Sequence, residues 1–118
     1  RSIKPIDSDT ILKSVSKTRN LVVVDSSWKT GSISGEIVSL VVETGFDLLD
    51  RAPLRIALSD HVVPTSHYLA DEYYKDAQYI SSQVLDFLSI VDSTNVVGKQ
   101  LEIHGPKDVP NKEFHGPF

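Results

Sequence analysis

The sequence predicts an α/β fold, with helices on both faces of a mostly parallel sheet. Three features of the chain predict it. Leu21-Val-Val-Val24 is a short β-branched apolar run of strand character. A polar turn with two glycines follows, Trp28-Lys-Thr-Gly31-Ser-Ile-Ser-Gly35, and then apolar residues at helical spacing. After it, Leu54-Arg-Ile-Ala-Leu58 reads as a second strand and residues 76–91 as a further helix.

Residues 1–6 are extended in character, because Pro5 blocks a helix there. Asp7 or Ser8 is a good N-cap for a helix running to about Thr18, with Ile11, Leu12 and Val15 as its buried stripe. Asn20 to Ser26 is the first strand. Its valines do not alternate with polar residues, which predicts burial on both faces and a central parallel strand. The second helix spans about Ser32 to Leu49, with Ile33, Ile37, Leu40, Val41, Phe46 and Leu49 facing the core. Gly45 weakens it by about 1 kcal/mol relative to alanine and marks the point where it ends or loosens. Asp50 to Pro53 is a turn before the second strand.

Asp60 to Tyr74 is polar, aromatic and irregular, punctuated by Pro64. A third helix, from Asp76 to Val91, places Ile80, Val84, Leu85, Phe87, Leu88 and Val91 at helical spacing, and Asp76 suits it either as a cap or as a charge at its N-terminal dipole. Beyond Asp92 the glycines and prolines mark a polar arm with little periodicity, so the domain is expected over 1–92 and an extension over 93–118. Two strands are too few to cover so much apolar helix face. At least one more is expected: near 1–5, upstream of Arg1, or within 95–103.

The chain has 118 residues, enough for one domain with a real core. A net charge of −4 with interspersed acids and bases, and no basic stripe, argues against nucleic acid. No apolar run approaches the roughly 20 residues that cross a bilayer, so no membrane partner is expected. Absence of cysteine excludes disulfides and cysteine metal sites and fits a reducing compartment. The first residue is Arg1, not methionine, so the chain is expected to be a fragment or a processed piece.

The turn before the second helix offers backbone N–H groups and a helix dipole to an anion, with Lys29, Gly31 and Ser32 as candidates. It is neither a P-loop nor a dinucleotide fingerprint. The alternative is that its glycines only permit the turn and close helix packing, and Glu36 opposes an anion. Trp28, the only tryptophan, is either an interface anchor or a lid over the sheet end. Within residues 59–68, Asp60 with His61 or His67 could form an acid–base pair and Ser66 a nucleophile. No Gly-x-Ser-x-Gly elbow surrounds Ser66, and the histidines lack zinc spacing. A loop that packs on another domain or subunit fits better, with His61, His67, Tyr68, Tyr73 and Tyr74 joining Trp28 and Lys29 as interface candidates. His104 and His115 read as solvated or interface histidines.

Several segments together resemble a known family. Ile3-Lys-Pro-Ile-Asp7, Thr10-Ile-Leu, Ser14-Val-Ser-Lys-Thr, Leu21-Val-Val-Val-Asp, Trp28-Lys-Thr-Gly, Gly35-Glu-Ile, Phe46-Asp-Leu-Leu-Asp50-Arg-Ala-Pro and Arg55-Ile occur in the order and spacing of the transketolase C-terminal domain. The chain is most similar to the β subunit of the decarboxylating component of 2-oxo acid dehydrogenases of pyruvate, branched-chain and acetoin type. The resemblance covers about Ile3 to Leu88. It implies a three-layer α/β/α sandwich that follows a pyrimidine-binding domain in the same subunit. It also implies thiamine diphosphate and magnesium in the full enzyme, bound between other domains and not by this one alone.

No catalytic, cofactor-binding or metal residue of the family maps onto this chain. Partners implied are the upstream domain, an α subunit or a second copy, and the acyltransferase core. The implied compartment is the cytoplasm, or the mitochondrial matrix in a eukaryote. The family's opening Arg-x-Leu-x-Pro-Leu-Asp follows a strand that would lie before Arg1. Two departures, the Ser59–Tyr68 loop and the tail after Asp92, leave room for a transketolase-like enzyme acting on another keto acid or sugar. The function expected is assembly or regulation, through subunit contacts. The alternatives are a protein-docking module without an enzymatic role and a small anion-binding α/β domain.

Overall fold

The computed structural model describes residues 2–90 and 105–109. The chain divides into two compact units, Arg1–Ala57 and Leu58–Phe118.

In the first unit, helix α1 (Ser8–Thr18) starts where the Asp7 carboxylate accepts the Thr10 N–H at 3.1 Å and the Thr10 hydroxyl at 2.8 Å. It ends at Arg19, which adopts the left-handed conformation (φ 56°) and donates its N–H to the Val15 carbonyl. The Arg19 guanidinium then reaches Asp50 at 2.5 Å and the Asp47 carbonyl at 3.2 Å, tying the end of α1 to the turn before the second strand. Both side chains of this ion pair are about half exposed, so it contributes at most ~1 kcal/mol.

Strand β1 (Val22–Trp28) and strand β2 (Leu54–Leu58) form a parallel two-stranded sheet. Parallel strands need a long crossover, and helix α2 (Ile33–Gly45) supplies most of it. The α/β prediction therefore holds; α1, β1 and β2 fall close to their expected boundaries, and α2 stops at Gly45, short of the expected Leu49. The core of this unit is Val15, Leu21 and Val41, flanked by Ile11, Leu12, Val23, Val38, Leu40, Leu48 and Leu49.

Gly45 ends α2, and a 3-10 turn over Phe46–Leu48 takes up the rest of the apolar run. A Cβ at Gly45 would lie 2.9 Å from Leu48 Cδ1 and 3.0 Å from Leu12 Cδ2. A Cβ there would press on the terminal methyls of two leucine side chains, Leu48 and, from α1, Leu12. Phe46, expected in the core, is 66% exposed because the 3-10 turn swings it off the helical stripe.

Two expectations for this unit fail. Residues 3–6 form turns and no strand; Pro5 lacks a donor, and no neighbouring strand among the described residues takes their backbone bonds. β1 is not buried on both faces. Val24 is 53% exposed and the strand grows more exposed toward Trp28, so no described element covers that face of the sheet. The alternative strand site at 95–103 lies outside the described residues, as do Val91, His104 and His115.

In the second unit, the stretch expected to be irregular contains a short helix, α3 (His67–Tyr73). Period-2 and period-3.6 patterns are both absent there, and the helix stands on only two buried side chains, Ala70 and Tyr73. Helix α4 (Ala77–Phe87) starts as expected at Asp76, whose carboxylate accepts the Tyr79 N–H at 2.8 Å. Its apolar stripe is only partly covered: Ile80, Val84, Leu85 and Phe87 are half-buried and Leu88 is exposed. No described helix is long and apolar enough to cross a membrane.

Candidate functional site

The β1–α2 turn is held from inside by Arg55. Its Nε donates to Ser34 Oγ at 3.1 Å, and its Nη2 donates to Ser32 Oγ at 3.3 Å and to the Lys29 carbonyl. Ser34 is fully buried, and its hydroxyl also meets Ser32 Oγ at 2.5 Å. The guanidinium also packs on Gly35, where a Cβ would meet it at 3.6 Å, an ordinary van der Waals contact. Gly31 has φ +73°, the left-handed value that lets the chain reverse after Trp28.

Asp25 completes the turn. One carboxylate oxygen accepts the Ser27 N–H and hydroxyl at 2.9 and 2.7 Å; the other accepts the Ser34 N–H at 3.2 Å, in the first turn of α2. The Ser27 donors, with smaller help from Ser34 and Ser32, hold the Asp25 carboxyl below the usual carboxylate range against a burial effect that raises it.

This arrangement bears on the anion candidates. The positive end of the α2 dipole already faces a carboxylate of the chain itself. Ser32 spends its hydroxyl on Arg55 and Ser34, and Lys29 gives Arg55 its carbonyl. The turn is built as a braced corner, and the anion reading draws no support from it. Trp28 closes β1 at the head of that corner and is 50% exposed.

Trp28 and Lys29 belong to the first unit; the other five interface candidates belong to the second. His61 and Tyr73 meet ring to ring at 5.1 Å, and Tyr73 meets Tyr74 edge-on at 5.3 Å. Tyr73 is only 2% exposed, so it serves the interior of this unit rather than a surface. Tyr68 is 77% exposed. An open hollow of about 660 Å³ is lined by Val62, Val63, Pro64, Leu69 and Tyr73 together with Ser66 and Glu72.

Two of the acid–base candidates at 59–68 have other partners at Nδ1. His67 Nδ1 pairs with Asp108 at 2.6 Å, His61 Nδ1 lies 3.2 Å from the Val62 carbonyl, and Ser66 only precedes α3. Among the described residues no three His, Asp or Glu side chains converge on a common point. With Asp7, Asp25 and Asp76 set at the N-termini of α1, α2 and α4, the described donors do not fit a diphosphate and its magnesium.

Asp25 and Arg55 were not singled out as site residues from sequence. For Asp25 a signal existed: Asp followed two residues later by Ser is an Asx-turn pattern. For Arg55 the signal was a charge inside an apolar strand, but its partners lie 21 to 26 residues away.

A β–α–β unit with a braced strand-to-helix corner and an exposed tryptophan at its head defines an α/β domain. The chain belongs to the transketolase C-terminal domain family, whose model matches residues 1–84. It is similar to the β subunit of an acetoin:2,6-dichlorophenolindophenol oxidoreductase of Bacillus subtilis, at 39% identity over 88 residues, covering 75% of this chain and 26% of that protein. It is also similar to the mitochondrial pyruvate dehydrogenase E1 component β subunit of Saccharomyces cerevisiae, at 36% identity over 91 residues, 76% of this chain and 25% of that protein. The Rickettsia felis pyruvate dehydrogenase E1 β subunit is 46% identical over 56 residues, 48% of this chain and 17% of that protein. The chain thus spans about a quarter of the length of the first two relatives.

Proposed function

We propose that this chain is the C-terminal assembly domain of the β subunit of a thiamine-diphosphate-dependent 2-oxo acid dehydrogenase, or of a transketolase-like enzyme. It supplies subunit contacts, and the catalytic and cofactor-binding groups come from elsewhere in the enzyme. Its partners are its own upstream domain and an α subunit or a second β subunit, and the acyltransferase core is a further one. The family match supports the enzyme class. The observation that carries the assembly role is Trp28. It is a large, half-exposed aromatic at the end of a strand whose following turn is locked by Arg55 and Asp25. A rigid aromatic loses little conformational entropy when a partner covers it, which is why tryptophan dominates binding hot spots.

The test is Trp28→Ala in the full-length subunit. Subunit association, measured by sedimentation, should weaken by about tenfold or more, the ~1.4 kcal/mol or greater expected of a hot-spot residue, while thermal stability changes little. A lowered Tm with unchanged association would refute the assembly role.

A further inference from the structure

The turn at residues 105–109 lies beyond the family match, which ends at residue 84. It is a turn closed by the Val109 N–H donating to the Pro106 carbonyl at 3.3 Å, which puts Lys107 and Asp108 at its tip. Both tip side chains grip the α3–α4 region. The Lys107 ammonium donates to the Asp71 carbonyl at 3.1 Å and to the Asp76 carboxylate at 2.8 Å. The Asp108 carboxylate holds His67 Nδ1 at 2.6 Å.

The chemistry of these partners is specific. The Asp71 carbonyl sits in the last turn of α3, where carbonyls have no partner within the helix. Asp76 is the N-cap of α4. One ammonium therefore satisfies the negative end of one helix and neutralises the carboxylate that starts the next. Burial pushes the Asp76 carboxyl up, but the Lys107 hydrogen bond and charge, with the Tyr79 N–H, hold it below the usual range. The Asp76 side chain is 11% exposed and that of Lys107 28%, so this pair is shielded from solvent and salt. His67 is 73% exposed, and its pair with Asp108 is a screened contact at the rim.

Helix α3 needs such support. It has seven residues and no side-chain N-cap bond, and a helix this short does not stand alone in water. Positions 67 and 71, which the turn engages, share one side of the helix; Leu69, Glu72 and Tyr73, which line the hollow, lie on the other.

We infer that residues 105–109 are a clasp, added to the family domain by this chain's own extension, in which Lys107 bridges the end of α3 to the N-cap of α4 and so keeps α3 folded as the back wall of the hollow. The inference is independent of what occupies the hollow and of the assembly role.

Native-state hydrogen exchange on the full-length protein tests it, with Lys107→Ala, Lys107→Gln and Lys107→Arg, and with Asp76→Asn, which keeps an N-cap acceptor while removing the charge. The alanine and glutamine variants should lower protection of the α3 amides and of the Tyr79 amide about tenfold or more, while β1 and α2 keep theirs. Arginine, which keeps the charge and gains donors, should retain most of the protection, and Asp76→Asn should lower it in α3. Unchanged protection in α3 overturns the clasp. So does an equal loss in β1 and α2, which would mark a general destabilisation.

Discussion

The two units of this chain are held in different ways. The first is built around Val15, Leu21 and Val41, three buried side chains from a helix, a strand approach and a second helix, with seven more apolar residues packed on them. Among the described residues the second buries Ala70 and Tyr73, and polar bonds join its parts: Lys107 to Asp76 and Asp71, His67 to Asp108, the Tyr73 hydroxyl to the His61 carbonyl at 3.4 Å. Non-directional burial is written in the local pattern of a sequence; long-range polar bonding is not. The units should therefore respond differently to the removal of a methyl group, of a fork of hydrogen bonds, or of a charge.

Truncating the core should have the largest effect. Val41 is fully buried, and Val41→Ala leaves a cavity at the junction of α1, α2 and β1, with an expected loss of about 2–3 kcal/mol in urea unfolding of the first unit. An effect under half of that would show that the core collapses onto the gap and is softer than its burial indicates.

Arg55 sharpens the comparison, because it is the polar device of the apolar unit. Arg55→Ala removes three hydrogen bonds from the β1–α2 corner and should cost about 1–3 kcal/mol. Arg55→Lys should recover little, since an ammonium cannot present donors to Ser34 and to the Lys29 carbonyl in one plane. Full rescue by lysine would mean that charge alone, not the planar fork, braces the corner.

Acid has the smallest and most localised effect. A carboxyl whose folded pKa is depressed stabilises the fold above its unfolded pKa, and that contribution disappears as pH falls through the folded value. Asp76 is such a group in the second unit, and Asp25 and Asp7 are such groups in the first. Stability should therefore drop as pH falls below about 4. Asp76→Asn should flatten that drop for the second unit, read by amide exchange of α4 between pH 3 and 6. Superimposable pH profiles for the two proteins would remove Asp76 from the account.

Some of this was legible from residues alone. Asp7 and Asp76 read as helix starts because a short acceptor preceding an apolar-periodic segment has few other uses. Gly45 read as a point where a helix running to about Leu49 ends or loosens, although the approach of the Leu12 side chain could not be seen. The family was readable from ordered segments between Ile3 and Arg55, and the match over residues 1–84 bears that out. The anion candidates Lys29, Gly31 and Ser32 formed a plausible pattern. What sequence could not supply was the position of Asp25, which fills the same helix N-terminus from nine residues upstream of Ser34.

By itself, then, the sequence determined the α/β class, the helix caps, the two strands and the family, because each depends on spacing within a few turns of chain. The tertiary structure alone decided that β1 has an exposed edge at Val24, that Tyr73 points inward, that Arg55 braces the Trp28 corner and that Lys107 clasps α3 to α4. Each of these joins groups 12 to 36 residues apart or turns on how many strands share a sheet. Hydrogen-bond partners at such separations are chosen by three-dimensional proximity, which no local pattern encodes.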